Sequence, residues 1–297
     1  MSNPFTEFSN YLTSAVEKGG ESTVIVDARK RYPASGIAYA EDLVLTADHV
    51  VTREDIKVTL PDGKSLAATI AGRDAGSDLA LLRIAEKVLK PAKTSNDARV
   101  GQLVLALGRP NASGMQASWG IVTAITGPAR THRGGLLDEY ISTETTPYPG
   151  FSGGPLVNTE GEVLGLNTSG LGRGSALTIP AKVAWRIADE LAKHGSVKRG
   201  YLGVRTQPVE IPEAARKSLK RDQISGLLVL WLEENGPAQK GGLFVGDTIV
   251  AVAGHSVSDP DDLFASLKSD IIGKSVVVEV LRGGKAENVN VTVGERK

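Results

Sequence analysis

Short apolar runs separated by turn signals fill the first half of the chain and constrain its fold more than any other feature. Runs such as 23–26, 43–47 and 56–60 have four or five residues, and no helical period connects them. The Pro-Asp-Gly stretch at 61–63 and the Asn-Thr-Glu-Gly stretch within 156–166 each separate two runs, a pattern typical of β-hairpins. Frequent short strands of this kind predict an antiparallel β-barrel or sandwich.

The second half of the chain has a different pattern. Residues 180–195 carry an apolar stripe at helical spacing and end in a glycine, which predicts the first helix. The basic, glycine-flanked stretch 195–200 has the composition of a linker, and short strands with a helix at 260–269 follow it. The length of 297 residues suits two domains at roughly 100–200 residues each. The predicted parts are an N-terminal segment at 1–20, a β-rich domain at 21–195 and a smaller α+β domain at 200–297.

Charge and composition exclude several partners and chemistries. Lys plus Arg equals Asp plus Glu, at 34 each, which argues against nucleic acid or a membrane surface as the main partner. No apolar run is long enough for a membrane-spanning helix. The chain has no cysteine, so thiol catalysis and cysteine-based metal sites are excluded. Because no nucleotide-binding glycine motif is present either, we expect neither a cofactor nor a metal.

The N-terminal sequence bears on the compartment. The first twenty residues lack the basic region and the apolar region of a secretory signal. We therefore expect a cytoplasmic location for the chain as written, and an extracytoplasmic one if a leader has been removed. The absence of cysteine does not distinguish these two compartments.

Ser152 lies among glycines in the stretch 150–156, a setting suited to a nucleophile. A serine nucleophile needs an adjacent base, a group that orients the base, and N–H donors for the oxyanion. His49 and Asp78 flank apolar runs earlier in the chain, and the order His, Asp, Ser is that of chymotrypsin-type enzymes. The backbone N–H groups of Gly150 and Ser152 are the candidates for the oxyanion hole.

Each of these residues also has a purely structural interpretation. Ser152 among glycines is typical of a turn, His49 of a side chain packed after a strand, and Asp78 of an acid in a turn. Asp74 is an alternative acid, and His132 is an alternative base, although its place after Asp78 breaks the order. The order and the flanking sequences of the whole set favour the catalytic interpretation.

These flanking sequences resemble one family of enzymes. LTADHVV at 45–51, SDLALLRI at 77–84 and GFSGGPLVN at 150–158 are similar to the three catalytic motifs of the HtrA (DegP-like) serine proteases. The segment 200–297 resembles a PDZ domain, so the likeness covers roughly residues 20–297. The resemblance implies a mainly β chain, with a chymotrypsin-like double β-barrel protease domain followed by one C-terminal α+β PDZ domain. It makes His49 the general base, Asp78 its orienting group and Ser152 the nucleophile.

The resemblance also implies a function. The expected activity is that of an ATP-independent serine endopeptidase of protein quality control and the stress response, which cleaves unfolded or damaged polypeptides through an acyl-enzyme. The alternative is a catalytically silent chaperone or PDZ adaptor on a protease fold. In the family, N-terminal aromatic residues pack subunits into a trimer, so Phe5, Phe8 and Tyr11 imply a homotrimer. An ordinary amphipathic docking segment is the alternative for these three residues.

A substrate pocket follows from the same likeness. Its implied walls contain no acid, so we expect an apolar side chain before the scissile bond rather than Lys or Arg. For Ala176 and Leu177, packing in the core of a strand is an equally good interpretation. The implied pocket residues are Thr146, Thr168, Ser169, Gly170, Ala176 and Leu177.

A PDZ peptide groove is implied in the C-terminal segment. A PDZ domain adds a peptide to a sheet edge and holds its terminal carboxylate with backbone N–H groups. The stretch YLGV at 201–204 resembles the carboxylate-binding loop, and the helix at 260–269 is expected to form the other wall. For the first two residues of this loop, packing at a domain junction is the alternative. The implied groove residues are Tyr201, Leu202, Gly203, Val204, Leu263, Phe264 and Leu267.

The chain departs from the family pattern next to the serine. Phe151 stands where the family commonly has Asn, and residues 146–150 carry two prolines and a tyrosine where the family is usually small and polar. The loop within 169–180 also differs. These departures concern the substrate pocket and the oxyanion loop, and they leave the three catalytic motifs intact.

Overall fold

The computed structural model describes residues 3–131, 135–171, 177–219 and 221–295. Its contacts divide the chain into two units, Met1–Val197 and Lys198–Lys297. The first unit contains two closed six-stranded barrels, and the second contains an antiparallel sheet with short helices. The predicted mainly β architecture, a double barrel followed by an α+β part, is confirmed. The boundaries proposed at 21–195 and 200–297 stay predictions of where each part folds on its own.

The first barrel pairs its strands in the order β1-β2-β3-β6-β5-β4. The hairpin predicted around the 61–63 turn is confirmed, because Thr59 pairs with Ser65 across it and Gly63 takes a φ of +90°. Fully buried aliphatic side chains such as Ile37 and Leu81 fill the interior. The strands are β1 Thr23–Asp27, β2 Ala34–Ala40, β3 Leu43–Ala47, β4 Ile56–Thr59, β5 Ser65–Asp74 and β6 Leu79–Ile84.

The second barrel pairs its strands in the order β11-β14-β13-β12-β7-β8, and β9 and β10 form a separate two-stranded sheet. The second predicted hairpin is also confirmed, because Leu156 of β12 pairs with Gly165 of β13. The strands are β7 Leu103–Gly108, β8 Gln116–Thr126, β9 Ala129–Arg130, β10 Leu136–Leu137, β11 Tyr140–Thr143, β12 Pro155–Val157, β13 Val163–Thr168 and β14 Leu177–Pro180.

A helix, α1, spans Pro4–Gly20. The prediction that the first helix lies at 180–195 is therefore wrong. Asn3 caps α1 by accepting the Phe5 N–H at 3.0 Å, and a proline follows the cap directly, as is common in a first turn. Its inner face carries Leu12, Ala15 and Val16, which pack on the core of the first unit, and two buried glycines continue this face. A Cβ on Gly19 would lie only 2.7 Å from the Leu107 side chain. Tertiary packing therefore outweighs a weak sequence pattern here.

The helix predicted at 180–195 is confirmed as α2, Ala181–His194. Its apolar stripe, which includes Ile187 and Leu191, is buried, and Gly195 ends the helix with a φ of +74°. Pro180 is the last residue of β14 and immediately precedes the helix. Among the helices in the described ranges, none is both long and apolar enough to cross a membrane.

The second unit is built on a sheet in the order β16-β17-β18-β20-β21, with β19 paired to β18. Strand β16 lies at the edge of this sheet, and β15 and β22 form a separate pair. The elements are β15 Gly200–Tyr201, β16 Val204–Glu210, α3 Glu213–Leu219, β17 Ser225–Leu232, α4 Pro237–Gly241, β18 Thr248–Val252, β19 His255–Ser256, α5 Pro260–Ser266, β20 Ser275–Arg282, β21 Lys285–Thr292 and β22 Gly294–Glu295.

Candidate active site

The pairing of β3 with β6 brings His49 and Asp78 together at one end of the first barrel. Ala47 pairs with Leu79, and the Asp48 N–H donates to the Asp78 carbonyl oxygen at 2.9 Å. Beyond this last pair, His49 Nδ1 lies 2.8 Å from Asp78 Oδ2, and the His49 backbone N–H donates to Asp78 Oδ1 at 2.8 Å. Two bonds from one carboxylate therefore fix both the backbone and the ring of His49.

The Asp78 carboxylate is fully buried, yet its surroundings favour the charged form. Burial by itself raises the pKa of the Asp78 carboxyl, but the hydrogen bond and charge of His49 and the Thr168 hydroxyl lower it, and the net pKa lies below its ordinary value. The Thr168 hydroxyl, which comes from β13 of the second barrel, donates to Asp78 Oδ2. An ionised group that orients the His49 ring is therefore present at neutral pH.

Gly170 covers the pair formed by His49 and Asp78. Its N–H donates to Thr168 Oγ1 at 2.9 Å. A Cβ at this position would overlap the Asp78 carboxylate and lie 2.5 Å from His49 Nδ1. Only glycine lets the backbone approach this closely.

The alternative acid and base occupy different places. Asp74 accepts the Ser77 N–H at 2.9 Å, so its carboxylate stabilises the turn that leads to Asp78. His132 lies outside the described residues, as does Ala176 of the implied pocket.

Ser152 precedes β12 in the second barrel, and two neighbours hold it beside the acid–base pair. Its carbonyl accepts the Ser35 N–H at 3.2 Å. Its Oγ lies 3.1 Å from Ser169 Oγ and accepts the Ser169 N–H at 3.4 Å. Among the described residues, no hydrogen bond joins this hydroxyl to His49. Thr168 contacts Asp78 and the next residue contacts Ser152, so β13 connects the two halves of the site.

The turn before Ser152 places two backbone donors next to its hydroxyl. Gly150 takes a φ of +91°, and its carbonyl accepts the Ser35 hydroxyl at 2.8 Å. Within the described part of the chain, the N–H groups of Gly150 and Ser152 have no intramolecular acceptor, whereas the Phe151 N–H donates to Tyr148 at 3.1 Å. Free, adjacent donors of this kind are what an oxyanion requires.

Phe151, where the family commonly has Asn, is an apolar anchor for this turn. Its side chain is 2% exposed, and its ring meets that of Tyr148 edge-on at a centroid distance of 5.4 Å. A Cβ on Gly108 of β7 would overlap the Phe151 ring. Packing therefore positions the residue that precedes Ser152.

A cavity of about 470 Å³ opens beside Ser152. Of the implied pocket residues, Thr168 and Ser169 line it, whereas Thr146, Gly170 and Leu177 do not, although Thr145 and Thr178 next to two of these do. No Asp or Glu is among its described lining residues. The lining therefore lacks an anion that would pair with a substrate Lys or Arg.

Sequence reasoning missed two residues of this site. Ser35 in β2 is fully buried, and its hydroxyl bonds Gly150 across 115 positions of the chain, so no local signal indicates it. Thr168 was assigned to the pocket from the family likeness, but its contact with Asp78 was not foreseen. That contact depends on two barrels meeting, which no local pattern encodes.

The implied PDZ groove residues gather around the edge strand β16. Gly203 precedes β16 with a φ of +76°, and its carbonyl accepts the Glu233 N–H at 2.8 Å. Leu202 is buried in the core of the second unit, and its carbonyl accepts the Ala238 N–H at 2.8 Å. Tyr201 pairs with β22, and Val204 begins β16. The remaining members, Leu263, Phe264 and Leu267, lie in α5 and directly after it.

Comparisons with known proteins agree with both units. Residues 34–166 match the family model of a trypsin-like peptidase domain, and residues 200–293 match that of a PDZ domain. A probable periplasmic serine endoprotease DegP-like from Brucella suis biovar 1 is 38% identical over 270 residues, which are 87% of this chain and 52% of that relative. A protein of the same description from Halomonas elongata is 38% identical over 276 residues, covering 90% of this chain and 57% of the relative.

Solved structures are similar over nearly the whole chain. The HtrA-type protease AlgW with decapeptide has a TM-score of 0.81 at 27% identity, covering 96% of this chain and 99% of that one. The serine endoprotease from Yersinia pestis has a TM-score of 0.79 at 27% identity, covering 96% and 98%. The chain spans about half the length of the curated relatives it matches.

The double barrel and the second sheet thus define a trypsin-like peptidase domain joined to a PDZ domain. With the relatives and structures above, the chain belongs to the HtrA/DegP-like family of serine proteases.

Proposed function

We propose that this protein is an active serine endopeptidase in which Ser152 attacks the scissile carbonyl. The contact between His49 and Asp78 carries the proposal, because it turns His49 Nδ1 toward the carboxylate and leaves Nε2 to accept a proton. The expected acyl-enzyme forms when His49 takes the Ser152 proton and returns it to the leaving amine. The N–H groups of Gly150 and Ser152 are the proposed donors to the oxyanion.

Replacement of the nucleophile tests this proposal. Ser152→Ala is expected to abolish cleavage of unfolded casein, since loss of a triad serine costs about a million-fold in kcat in a comparable protease. The Ser113→Ala variant, in an exposed loop between β7 and β8, is the matched control and should cleave normally. Cleavage by Ser152→Ala at near the wild-type rate, with the fold intact by circular dichroism, would rule out Ser152.

A catalytically silent chaperone or PDZ adaptor is the second candidate. One observation favours it, namely that the Ser152 hydroxyl bonds Ser169 and not His49 among the described residues. Activity requires the half-buried Ser152 side chain to rotate toward His49, which is a change of one side-chain rotamer. A fluorophosphonate probe distinguishes the two, because an enzyme is labelled at Ser152 and a silent homologue is not.

We further infer that the substrates are unfolded or damaged polypeptides and that the PDZ domain binds their C-termini. The edge position of β16 supports the second point, because an edge strand can pair with an added peptide strand. Calorimetry with the full chain tests it, using a peptide that ends in an apolar residue with a free carboxylate and the same peptide amidated. Equal affinity for both would contradict carboxylate capture.

We also propose that the protein is a homotrimer held through the start of α1. Phe5 is 82% and Tyr11 67% exposed, and Phe8 lies on the same helix, whereas Ala15 and Gly19 are buried against the barrel. Packing of the helix within its own chain thus uses its second half and leaves the aromatic half uncovered. Light scattering should report a trimer that the triple change to serine at the three aromatic positions converts to monomers. One mass for both proteins would contradict the trimer.

Two further parts of the proposed role rest on the family. The names of the curated relatives contain the word periplasmic, which supports the extracytoplasmic alternative for the location. Protein quality control in the stress response is the corresponding role. Strain survival under heat, with and without active enzyme, is the measurement that tests it.

A further inference from the structure

The cavity beside Ser152 has a strongly basic wall that catalysis does not use. Three consecutive cations, Arg29, Lys30 and Arg31, line it together with Tyr32, and all four belong to the connection between β1 and β2. No Asp or Glu is among the described residues that line the cavity. The wall therefore places positive charge in the space where a substrate must lie.

These cations are not neutralised within the described structure. Lys30 and Arg31 are exposed and form no ion pair with a described residue. The Arg29 guanidinium donates to the backbone carbonyls of Tyr32 and Pro33, which shapes the turn without supplying an anion. Asp27, at the end of β1, pairs instead with Arg53 at 2.7 Å. The segment 29–32, here called the basic wall, thus keeps its full charge.

The position of the basic wall relative to Ser152 indicates which side of the scissile bond it faces. The Ser152 hydroxyl meets Ser169, at the end of the cavity where the family likeness puts the side chain before the scissile bond. The backbone of the turn before Ser152 lies close to Pro33, which directly follows the basic wall in the chain. A Cβ on Gly150 would lie 3.1 Å from the Pro33 carbonyl oxygen. A substrate strand that passes over Ser152 therefore runs from Ser169 toward the basic wall.

We propose that the basic wall is a specificity subsite for acidic side chains in the first few residues after the scissile bond. This inference rests on the proposed endopeptidase activity of the same cavity. Two exposed ammonium and guanidinium groups attract a carboxylate, and each such pair is worth a modest amount at a surface. Tyr32 is 66% exposed beside them and adds a hydroxyl donor and a ring face to the same wall.

The test uses the full chain and quenched fluorescent peptides that share an apolar residue before the scissile bond. The second residue after that bond is Asp, Asn or Lys. We expect kcat/KM to follow Asp, Asn, Lys in falling order, with about fivefold between Asp and Asn at low ionic strength. At about 1 M salt the screening length falls to roughly 3 Å, so the differences should shrink strongly.

Variants locate the effect. The double change Lys30→Gln with Arg31→Gln should bring the ratio of kcat/KM between the Asp and Asn peptides to about one. The double change Lys30→Glu with Arg31→Glu should make the Asn peptide the better substrate. Lys87→Gln removes a charge from an exposed residue that does not line the cavity, and it should keep the wild-type ratio. An unchanged ratio in the double variants, or an equal loss in Lys87→Gln, would overturn the subsite.

The two proposals fail in different ways. Cleavage of all peptides at the same rate in low salt contradicts the basic subsite and leaves the endopeptidase proposal standing. Absence of any cleavage, together with no fluorophosphonate labelling of Ser152, contradicts the endopeptidase proposal itself.

Discussion

The two barrels contribute unequal halves of the candidate active site. In the first barrel, a strand pair fixes the acid and the base, and His49 takes two bonds from the buried Asp78 carboxylate. In the second barrel, the carbonyl of Gly150 accepts the Ser35 hydroxyl, but the Ser152 hydroxyl bonds only Ser169 among the described side chains. The His49–Asp78 pair is therefore fixed in the way of a buried core contact, whereas the turn that carries Ser152 keeps a side chain that can rotate.

The difference indicates where the resting state of such a site is decided. The pair in the first barrel has one arrangement, because the buried carboxylate is satisfied by His49 and by Thr168 together. The Ser152 hydroxyl has at least two possible partners, and choosing between them costs one side-chain rotation. Changes in the first half should therefore abolish activity, and changes around the serine should tune it.

Among changes that leave Ser152 in place, the largest effect is expected from the buried acid. Asp78→Asn should lower kcat by about 10⁴-fold, because the amide no longer holds the His49 ring in the tautomer that accepts a proton. Combined with Ser152→Ala it should cost little more than the serine change alone, since the groups act as one unit. Steady-state kinetics on a short chromogenic substrate measures both.

Asp74→Asn is the matched control for this change, because Asp74 is also a buried acid and lies four residues earlier. It should reduce the stability of the Ser77 turn and leave kcat of the folded protein close to normal. A loss of kcat as severe as in Asp78→Asn would transfer the orienting role to Asp74.

A second prediction concerns Gly170, which follows β13 of the second barrel and packs against the His49–Asp78 pair. Gly170→Ala should lower kcat by about a hundredfold, because the added Cβ overlaps the Asp78 carboxylate and a displacement of about 1 Å has an effect of that size. Gly63→Ala, where a Cβ meets nothing within 4 Å, is the control for general backbone strain. Equal kcat in the two variants would show that the backbone at Gly170 does not set the geometry.

A third, smaller effect is expected from the Thr168 hydroxyl. Thr168→Val removes one donor to Asp78 and should reduce kcat about tenfold, an amount typical of a hydrogen bond to a charged group. Thr168→Ser restores the hydroxyl and should recover most of the loss. Failure of serine to rescue activity would point to lost packing and not to the hydrogen bond.

The same variant has a signature in the pH dependence of stability. The pKa of Asp78 is lowered in the folded protein, so its carboxylate contributes stability above the unfolded pKa, and this contribution disappears as the pH falls through the folded pKa. The Thr168 hydroxyl is one cause of that lowering, so Thr168→Val should raise the folded pKa and lose the contribution at a higher pH. Urea unfolding between about pH 3 and 7 measures this, and coincident curves would contradict the assignment.

The sequence supported the fold because its local patterns agree with the final pairing. Short apolar runs and turn residues such as Gly63 specify hairpins within a few positions, and Gly195 ends a helix whose buried stripe is visible in the sequence. Helix α1 was missed because its apolar stripe of Leu12, Ala15 and Val16 is short and continues in two glycines, which have no apolar side chain. Small residues such as Gly19 pack closely on the barrel, and the value of a glycine at such a contact is known only once the neighbour is present.

The residues of the candidate site likewise divide into those that the sequence predicted and those that only the structure reveals. Motifs pointed to His49, Asp78 and Ser152, because the residues that surround a catalytic group in the chain carry a recognisable pattern. Ser35 and the bond from Thr168 to Asp78 lie between strands far apart in the chain, so only the closed barrels reveal them. Their contribution is geometric, and a short polar residue in a strand gives no sign of it beforehand.

The smallest effect, and the one that bears most directly on the comparison, concerns Ser169. Ser169→Ala removes the hydroxyl that lies 3.1 Å from Ser152 Oγ, while the Ser169 N–H stays in place. Since one neutral hydrogen bond has a net value of about 1 kcal/mol, the rotation of Ser152 toward His49 should become up to about fivefold more favourable. The rate of fluorophosphonate labelling should therefore rise by up to that factor, with Ser113→Ala unchanged as the control. A fall in the rate would mean that Ser169 supports the reactive arrangement of the serine, and the second half of the site would then be as fixed as the first.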